Sequence, residues 1–211
     1  MFRREVEIHC DNVRVAGEIT VPEAAAGVVV FAHGSGSSRF SPRNQYVAGV
    51  LQTAGLATLL LDLLTEMEAQ DRQKVFDVVL LARRLRAAKA WLAEQPQTNQ
   101  LACGYFGAST GAAAALIAAA QEPTGVRAIV SRGGRPDLAS DYLPLVQAPT
   151  LLIVGERDEV VLELNKQAAQ RLRCPYEIYV VPGATHLFPE PGALEKVAEL
   201  SRDWFLRHFQ T

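Results

Sequence analysis

The chain has few of the residues that staple small secreted folds. Only 3 of its 211 residues are cysteine, and Cys10, Cys103 and Cys174 lie far apart. They form no C-x-x-C pair and no zinc spacing, and scattered thiols of this kind belong to a reducing compartment. Charge of one sign is not in excess either. There are 21 Lys plus Arg against 23 Asp plus Glu, a formal net charge of −2. That removes the electrostatic case for binding nucleic acid or an anionic membrane. Long hydrophobic runs are missing as well. The longest, residues 112–120 (AAAALIAAA), has nine residues, against the ~20 that a membrane helix needs. The first seven residues (MFRREVE) lack the apolar core of a signal peptide. Repeats, low-complexity tracts and linkers are not visible. A cytoplasmic protein is expected, with no nucleic-acid or membrane partner.

What is there suits a soluble globular chain. Hydrophobic residues make up 49% and charged residues 21%, near the averages for such proteins. A chain of this length buries a large core unaided. One domain over residues 1–211 is expected, as a monomer or homodimer.

The opening segment alternates: Val6, Ile8 and Cys10, then Val13, Val15, Gly17 and Ile19, with Asp11-Asn12 between them as turn residues. An antiparallel hairpin follows from that period of two. Five short continuous apolar runs come next, at 28–32, 57–61, 101–106, 128–131 and 150–154. Such runs suit strands covered on both faces. Residues 176–181 add a last strand. Helical periodicity separates them, at 47–54, 75–92 (closed by Pro96), 109–121, 160–172 and 194–205. Strand and helix alternating after a hairpin predict an α/β fold. Its central sheet is mostly parallel with an antiparallel edge, and helices cover both faces. Ligands bind such sheets at the carboxyl ends of the strands.

After the run ending at Phe106 stands Gly107-Ala108-Ser109-Thr110-Gly111, a G-x-S-x-G between strand and helix. A nucleophile on that turn needs small neighbours to relieve a strained backbone, and the helix N-terminus favours developing negative charge. A glycine-rich turn with a capping Ser109 would look the same in isolation. Two later loops separate these possibilities. Gly155-Glu156-Arg157-Asp158 follows one strand, and Pro182-Gly183-Ala184-Thr185-His186-Leu187 follows another. Ser109, Asp158 and His186 thus stand in the chain order of a hydrolase triad, each just past a strand. His186 would take the serine proton and Asp158 would fix the imidazole tautomer. Glu156 is the rival acid, nearer its strand end.

His33-Gly34-Ser35-Gly36 follows the first apolar run. An oxyanion hole needs two preorganised amides, assigned here to Ser35 N–H and Thr110 N–H. His33 is expected to bond backbone within the loop. A nucleotide loop is the competing interpretation of Gly34-x-Gly36. Arg39 stands where a third glycine would be needed, and no G-K-[ST] occurs.

With HGSGSS, GYFGASTGAAAAL, VGERD and PGATHLF in place, the sequence resembles the α/β-hydrolase fold. Within that fold it resembles the dienelactone-hydrolase-like group, over nearly the whole chain. The resemblance implies a serine-type esterase with Ser109 as nucleophile, His186 as base and Asp158 as orienting acid. It departs in one respect. The dienelactone hydrolases proper carry cysteine as nucleophile, and Cys103, six residues upstream within a strand, is no substitute. Residues 131–149 are too few for the helical cap that many such hydrolases insert, so no large cap is expected. Arg39, Arg132 and Arg135 follow strand ends and are the candidates to hold a substrate carboxylate. The alternative is that they are solvated, or that one pairs with Asp137. Arg83, Arg84, Arg86 and Lys89 are assigned to the polar face of an amphipathic helix.

The function expected is hydrolysis of a small carboxylic ester, lactone or thioester, without cofactor or metal. Two alternatives stay open at this stage: a ligand-binding signalling protein with little turnover, and an acyltransferase.

Overall fold

A computed structural model describes residues 1–210. These form strands β1 (Phe2–Cys10), β2 (Val13–Val21), β3 (Val28–Ala32), β4 (Ala57–Leu61), β5 (Cys103–Ala108), β6 (Ala128–Arg132), β7 (Thr150–Gly155) and β8 (Tyr176–Val181). All join one sheet in the order β1-β2-β4-β3-β5-β6-β7-β8. The hairpin β1–β2 is antiparallel, and β2 meets β4 antiparallel. Every other pairing is parallel. This is the α/β-hydrolase architecture with an antiparallel N-terminal hairpin.

Helices α1 (Pro42–Thr53), α2 (Arg72–Val75), α3 (Val78–Glu94), α4 (Thr110–Gln121) and α5 (Glu159–Ala169) lie between successive strands, and α6 (Ala193–Phe209) follows β8. The continuous apolar strands are explained by what covers them. Val28, Val30 and Ala32 face one apolar layer, which holds residues of α3 and α4. Val29 and Phe31 face the other, built with α1 and α6. A strand buried on both faces has no polar side to display, so it reads as an unbroken run. Residues 131–149 form only two short turns, Pro136–Ala139 and Leu143–Leu145, and no cap.

Three local departures from the expected elements have physical causes. The helical pattern beginning at Val75 is broken in two because Asp71 and Asp77 each cap a helix. Their side chains accept from Gln73 N–H and Leu80 N–H, both at 2.9 Å, as N-caps do. Strand β5 starts at Cys103, two residues later than the apolar run, because Leu101 N–H closes a turn onto the Thr98 carbonyl at 2.9 Å. Arg84 is not on a solvated face. It is 2% exposed, and its guanidinium donates to Glu68 at 2.8 Å and to the Cys10 carbonyl at 2.9 Å.

Strand order sets where a site can form. From β3 the chain moves to β4 on one side, and later returns to place β5 on the other. The crevice at the carboxyl ends of β3 and β5 is therefore the topological switch point. Register brings the two ends level, with Ala32 opposite Gly107.

Candidate active site

Ser109 follows β5 and takes φ 51°, ψ −120°. A non-glycine residue is strained there, at a cost of order 1–3 kcal/mol. The strain persists because the flanks are tightly packed. A Cβ on Gly107 would lie 2.4 Å from Ala112 Cα, and one on Gly111 would lie 2.3 Å from the Ala32 carbonyl oxygen. Backbone bonds fix the turn further. Ser109 N–H donates to the Arg132 carbonyl at 3.2 Å, and the Ser109 carbonyl accepts from Ala112 and Arg135, both at 3.1 Å. Ser109 stands at the N-cap of α4, yet its hydroxyl makes no capping bond.

The loop after β3 comes close to this turn. A Cβ on Gly34 would sit 3.2 Å from Ser109 Cβ, so glycine is what allows the approach. His33 braces the loop. Its Nε2 accepts from Leu63 N–H at 3.0 Å, so Nδ1–H donates to the Gly34 carbonyl at 2.9 Å. Neither Ser35 N–H nor Thr110 N–H donates to a backbone carbonyl among the described residues. The latter is one of the amides that a helix start leaves unpaired.

Burial lowers the His33 pKa from 6.5, against smaller opposing effects of the Gly34 bond and the Asp62 charge. The unfolded chain therefore binds a proton that the folded chain resists. Stability is full above pH 6.5 and falls as pH drops below it toward the folded value. Urea unfolding from pH 7.5 to pH 5 should show this decline, and His33→Gln should reduce it, leaving the part due to His208, whose pKa burial also lowers. An equal decline in the variant would remove His33 as the cause.

On the far strands, Asp158 follows β7 and His186 follows β8. Asp158 Oδ2 lies 2.5 Å from His186 Nδ1. Asp158 occupies the N-cap of α5, but its carboxylate makes no capping bond and is directed instead to the imidazole. The pair is graded in exposure, with 14% for the carboxylate and 39% for the imidazole. Gly133 stands behind the ring. It has φ 51°, and a Cβ there would lie 3.4 Å from the ring atoms. Glu156, the rival acid, accepts from Gly183 N–H at 2.7 Å. A residue that sequence reasoning missed is Glu190, which accepts from Thr185 N–H at 3.0 Å and from its hydroxyl at 2.6 Å. It clamps the residue before His186, and no motif announces it.

Two cavities flank the Gly34–Ser37 loop. The smaller, about 250 Å³, is lined by Ser109, His186, Ser35, Ser41, Arg43 and Arg132. The larger, about 490 Å³, lies toward β4 and is lined by Arg39, Asp62, Leu64, Thr65 and Leu81. Gly34, Ser35 and Ser37 belong to both. The three expected arginines therefore part company. Arg39 binds Asp62 through its guanidinium and its backbone N–H. Arg135 makes a bidentate pair with Asp137 at 2.9 and 2.7 Å. Arg132 alone of the three lines the cavity with Ser109.

Cys103 is buried and its thiol is pushed up to about 12, chiefly by desolvation, so it offers no thiolate. All three cysteines are free and buried. Among the described residues no group of three or more His, Cys, Asp and Glu side chains is placed to hold a metal ion. No helix among them is long and apolar enough to cross a membrane.

This geometry meets its counterpart in known proteins. The model of the dienelactone hydrolase family matches residues 15–211. The chain belongs to that family. It is 52% identical to a dienelactone hydrolase of Anabaena variabilis, covers 98% of both chains, and superposes with a TM-score of 0.95. Est1E of Butyrivibrio proteoclasticus is 16% identical over 98% of this chain and 99% of its own, with a TM-score of 0.84, and shares the fold. A Mycobacterium tuberculosis protein named "Putative phosphoribosyl transferase" is 62% identical over 204 residues. The match takes in 97% of this chain and 46% of that protein, so the chain spans about half the length of this curated relative. Membership of the dienelactone hydrolase family supports hydrolase activity.

Proposed function

We propose that this dienelactone hydrolase family member cleaves small carboxylic esters, lactones or thioesters through an acyl-Ser109 intermediate. One observation carries the reading. Ser109, held at φ 51° on a strand-to-helix turn, shares a cavity with a histidine whose Nδ1 is bound by a carboxylate. Asp158 then keeps the proton on Nδ1 and leaves Nε2 free to act as base.

In the first half-reaction Ser109 Oγ forms a bond to the substrate carbonyl carbon and gives its proton to His186 Nε2. The carbonyl electron pair moves onto oxygen, which Ser35 N–H and Thr110 N–H stabilise. Collapse breaks the bond to the leaving group, which departs with the proton from His186. Water repeats the sequence on the acyl-enzyme, releasing the acid and restoring Ser109. Residues 1–211 act in this scheme as one catalytic domain on a small-molecule substrate. The transferase name of the mycobacterial relative belongs to a protein about twice as long.

The two acids provide the test. Asp158→Asn should lower kcat for a simple aryl acetate by about 10³–10⁴-fold, because the wrong imidazole tautomer is then favoured. Glu156→Gln, which alters only a loop bond, should leave it within about threefold. A larger loss in the Glu156 variant would reverse the assignment, and no loss in either would remove the triad.

A further inference from the structure

Arg132 is the last residue of β6 and lies directly across from the reactive serine, since its carbonyl accepts Ser109 N–H. Its side chain is 7% exposed. Nε and Nη1 are buried and have no hydrogen-bond acceptor among the described residues. Nor does Arg132 form an ion pair with any described carboxylate. Arg43, half-buried in the first turn of α1, lines the same cavity, and its Nε is also buried without an acceptor. Burial, and then the charge of Arg43, pull the Arg132 pKa down to about 10, so two like charges are pressed together. The first turn of α1 contains no acid, so its helix dipole adds a third positive field where a cation is least welcome.

Buried, unpaired guanidinium groups are costly and are ordinarily neutralised by a carboxylate. Arg39 and Arg135 follow that rule: Arg39 has Asp62 and Arg135 has Asp137. The cavity holding Ser109 has no acidic side chain in its lining among the described residues. Its negative charge must therefore come with the ligand. We propose that Arg43 and Arg132 bind a doubly charged oxyanion, so that the ester cleaved at Ser109 carries a phosphate monoester or phosphonate group. A carboxylate brings one charge and two oxygens to two guanidiniums. A phosphate monoester brings −1.5 to −2 charges at about pH 7 and three oxygens, enough for bidentate bonds and for the dipole of α1. The cavity of about 250 Å³ equals roughly eight waters at 30 Å³ each. The phosphorylated portion is therefore short, and the rest of the substrate extends toward the larger cavity beyond Ser35.

The inference rests on the serine-hydrolase reading for its ester, but its binding site can be tested apart from turnover. Binding of 2-hydroxyethylphosphonate and of 3-hydroxypropanoate is measured by NMR titration on wild type and on Ser109→Ala. The phosphonate should bind both proteins, and at least roughly tenfold tighter than the carboxylate. Arg43→Gln and Arg132→Gln should each weaken it about tenfold or more, with thermal unfolding checking that each variant is folded. If Arg132→Gln does not fold, Arg43→Gln decides. In turnover, kcat/KM for the acetate ester of 2-hydroxyethylphosphonate, divided by that for propyl acetate, should collapse in Arg43→Gln. Equal affinity for the two acids, absence of phosphonate binding, or binding indifferent to Arg43 each overturns the proposal. Arginine-dependent phosphonate binding in a protein that hydrolyses no ester would keep the anion site and discard the hydrolase reading.

Discussion

If Ser109 is the nucleophile of the proposed mechanism, replacing it with alanine should lower kcat/KM for ester hydrolysis by on the order of 10⁴–10⁶-fold, the range seen when a nucleophile that acts with its base is removed. What survives is expected to come from binding and from the proposed oxyanion donors, Ser35 N–H and Thr110 N–H. The fold should not change. Alanine keeps the Cβ and the same conformational demand at φ 51°, so its thermal midpoint matches that of wild type. Ser109→Gly separates strain from chemistry. Glycine adopts this backbone freely, and relief of the strain should raise stability by about 1 kcal/mol while activity is lost as in the alanine variant. Kinetics and urea unfolding on the same three proteins check both halves. Turnover retained in Ser109→Ala would end the assignment. A destabilised glycine variant would mean that the turn is not strained.

Gly111→Ala acts on the frame rather than on the nucleophile. The added methyl would lie 2.3 Å from the Ala32 carbonyl oxygen and 2.5 Å from that of His33. Both obstacles are backbone, so no rotamer change clears them. Either α4 lifts from the sheet or the end of β3 shifts, and the second carries Ser35 away from Ser109. A loss of about 3 kcal/mol or more is expected, and, on the proposed mechanism, activity should fall beyond about 100-fold as the proposed oxyanion donors lose their alignment. Gly49→Ala in α1 is the matched control. A Cβ there meets nothing within 4 Å, so alanine should stabilise that helix by about 0.5–1 kcal/mol. If Gly111→Ala unfolds within 1 kcal/mol of wild type, the close approach of α4 to the sheet is not as described.

What could be read from the sequence follows from the range of the forces involved. Strands β3 and β4 are legible to the residue because burial on two faces writes itself into consecutive positions. The turn at Ser109 is legible because a strained backbone demands glycine or alanine at fixed offsets. Partners across the fold leave no such mark. Periodicity placed Arg84 on a solvated face because nothing local reveals Glu68, 16 residues away, as its buried partner. Arg39, a candidate for a substrate carboxylate, is instead taken by Asp62 from the next strand end. Arg43 escaped notice because it belongs to no motif. The one signal available was a cation in the first turn of a helix without an acid to offset it, which opposes the dipole. Glu190 went unremarked for a similar reason, since its role is set by the turn that returns it to Thr185.

The most direct measurement is covalent labelling of the wild-type chain with a fluorophosphonate, followed by peptide mapping, with Ser109→Ala beside it. The account predicts a single adduct on Ser109, absent in the variant and slowed in Asp158→Asn. An adduct on any other residue, or no adduct on folded wild-type protein, would contradict an activated Ser109 and with it the proposed chemistry.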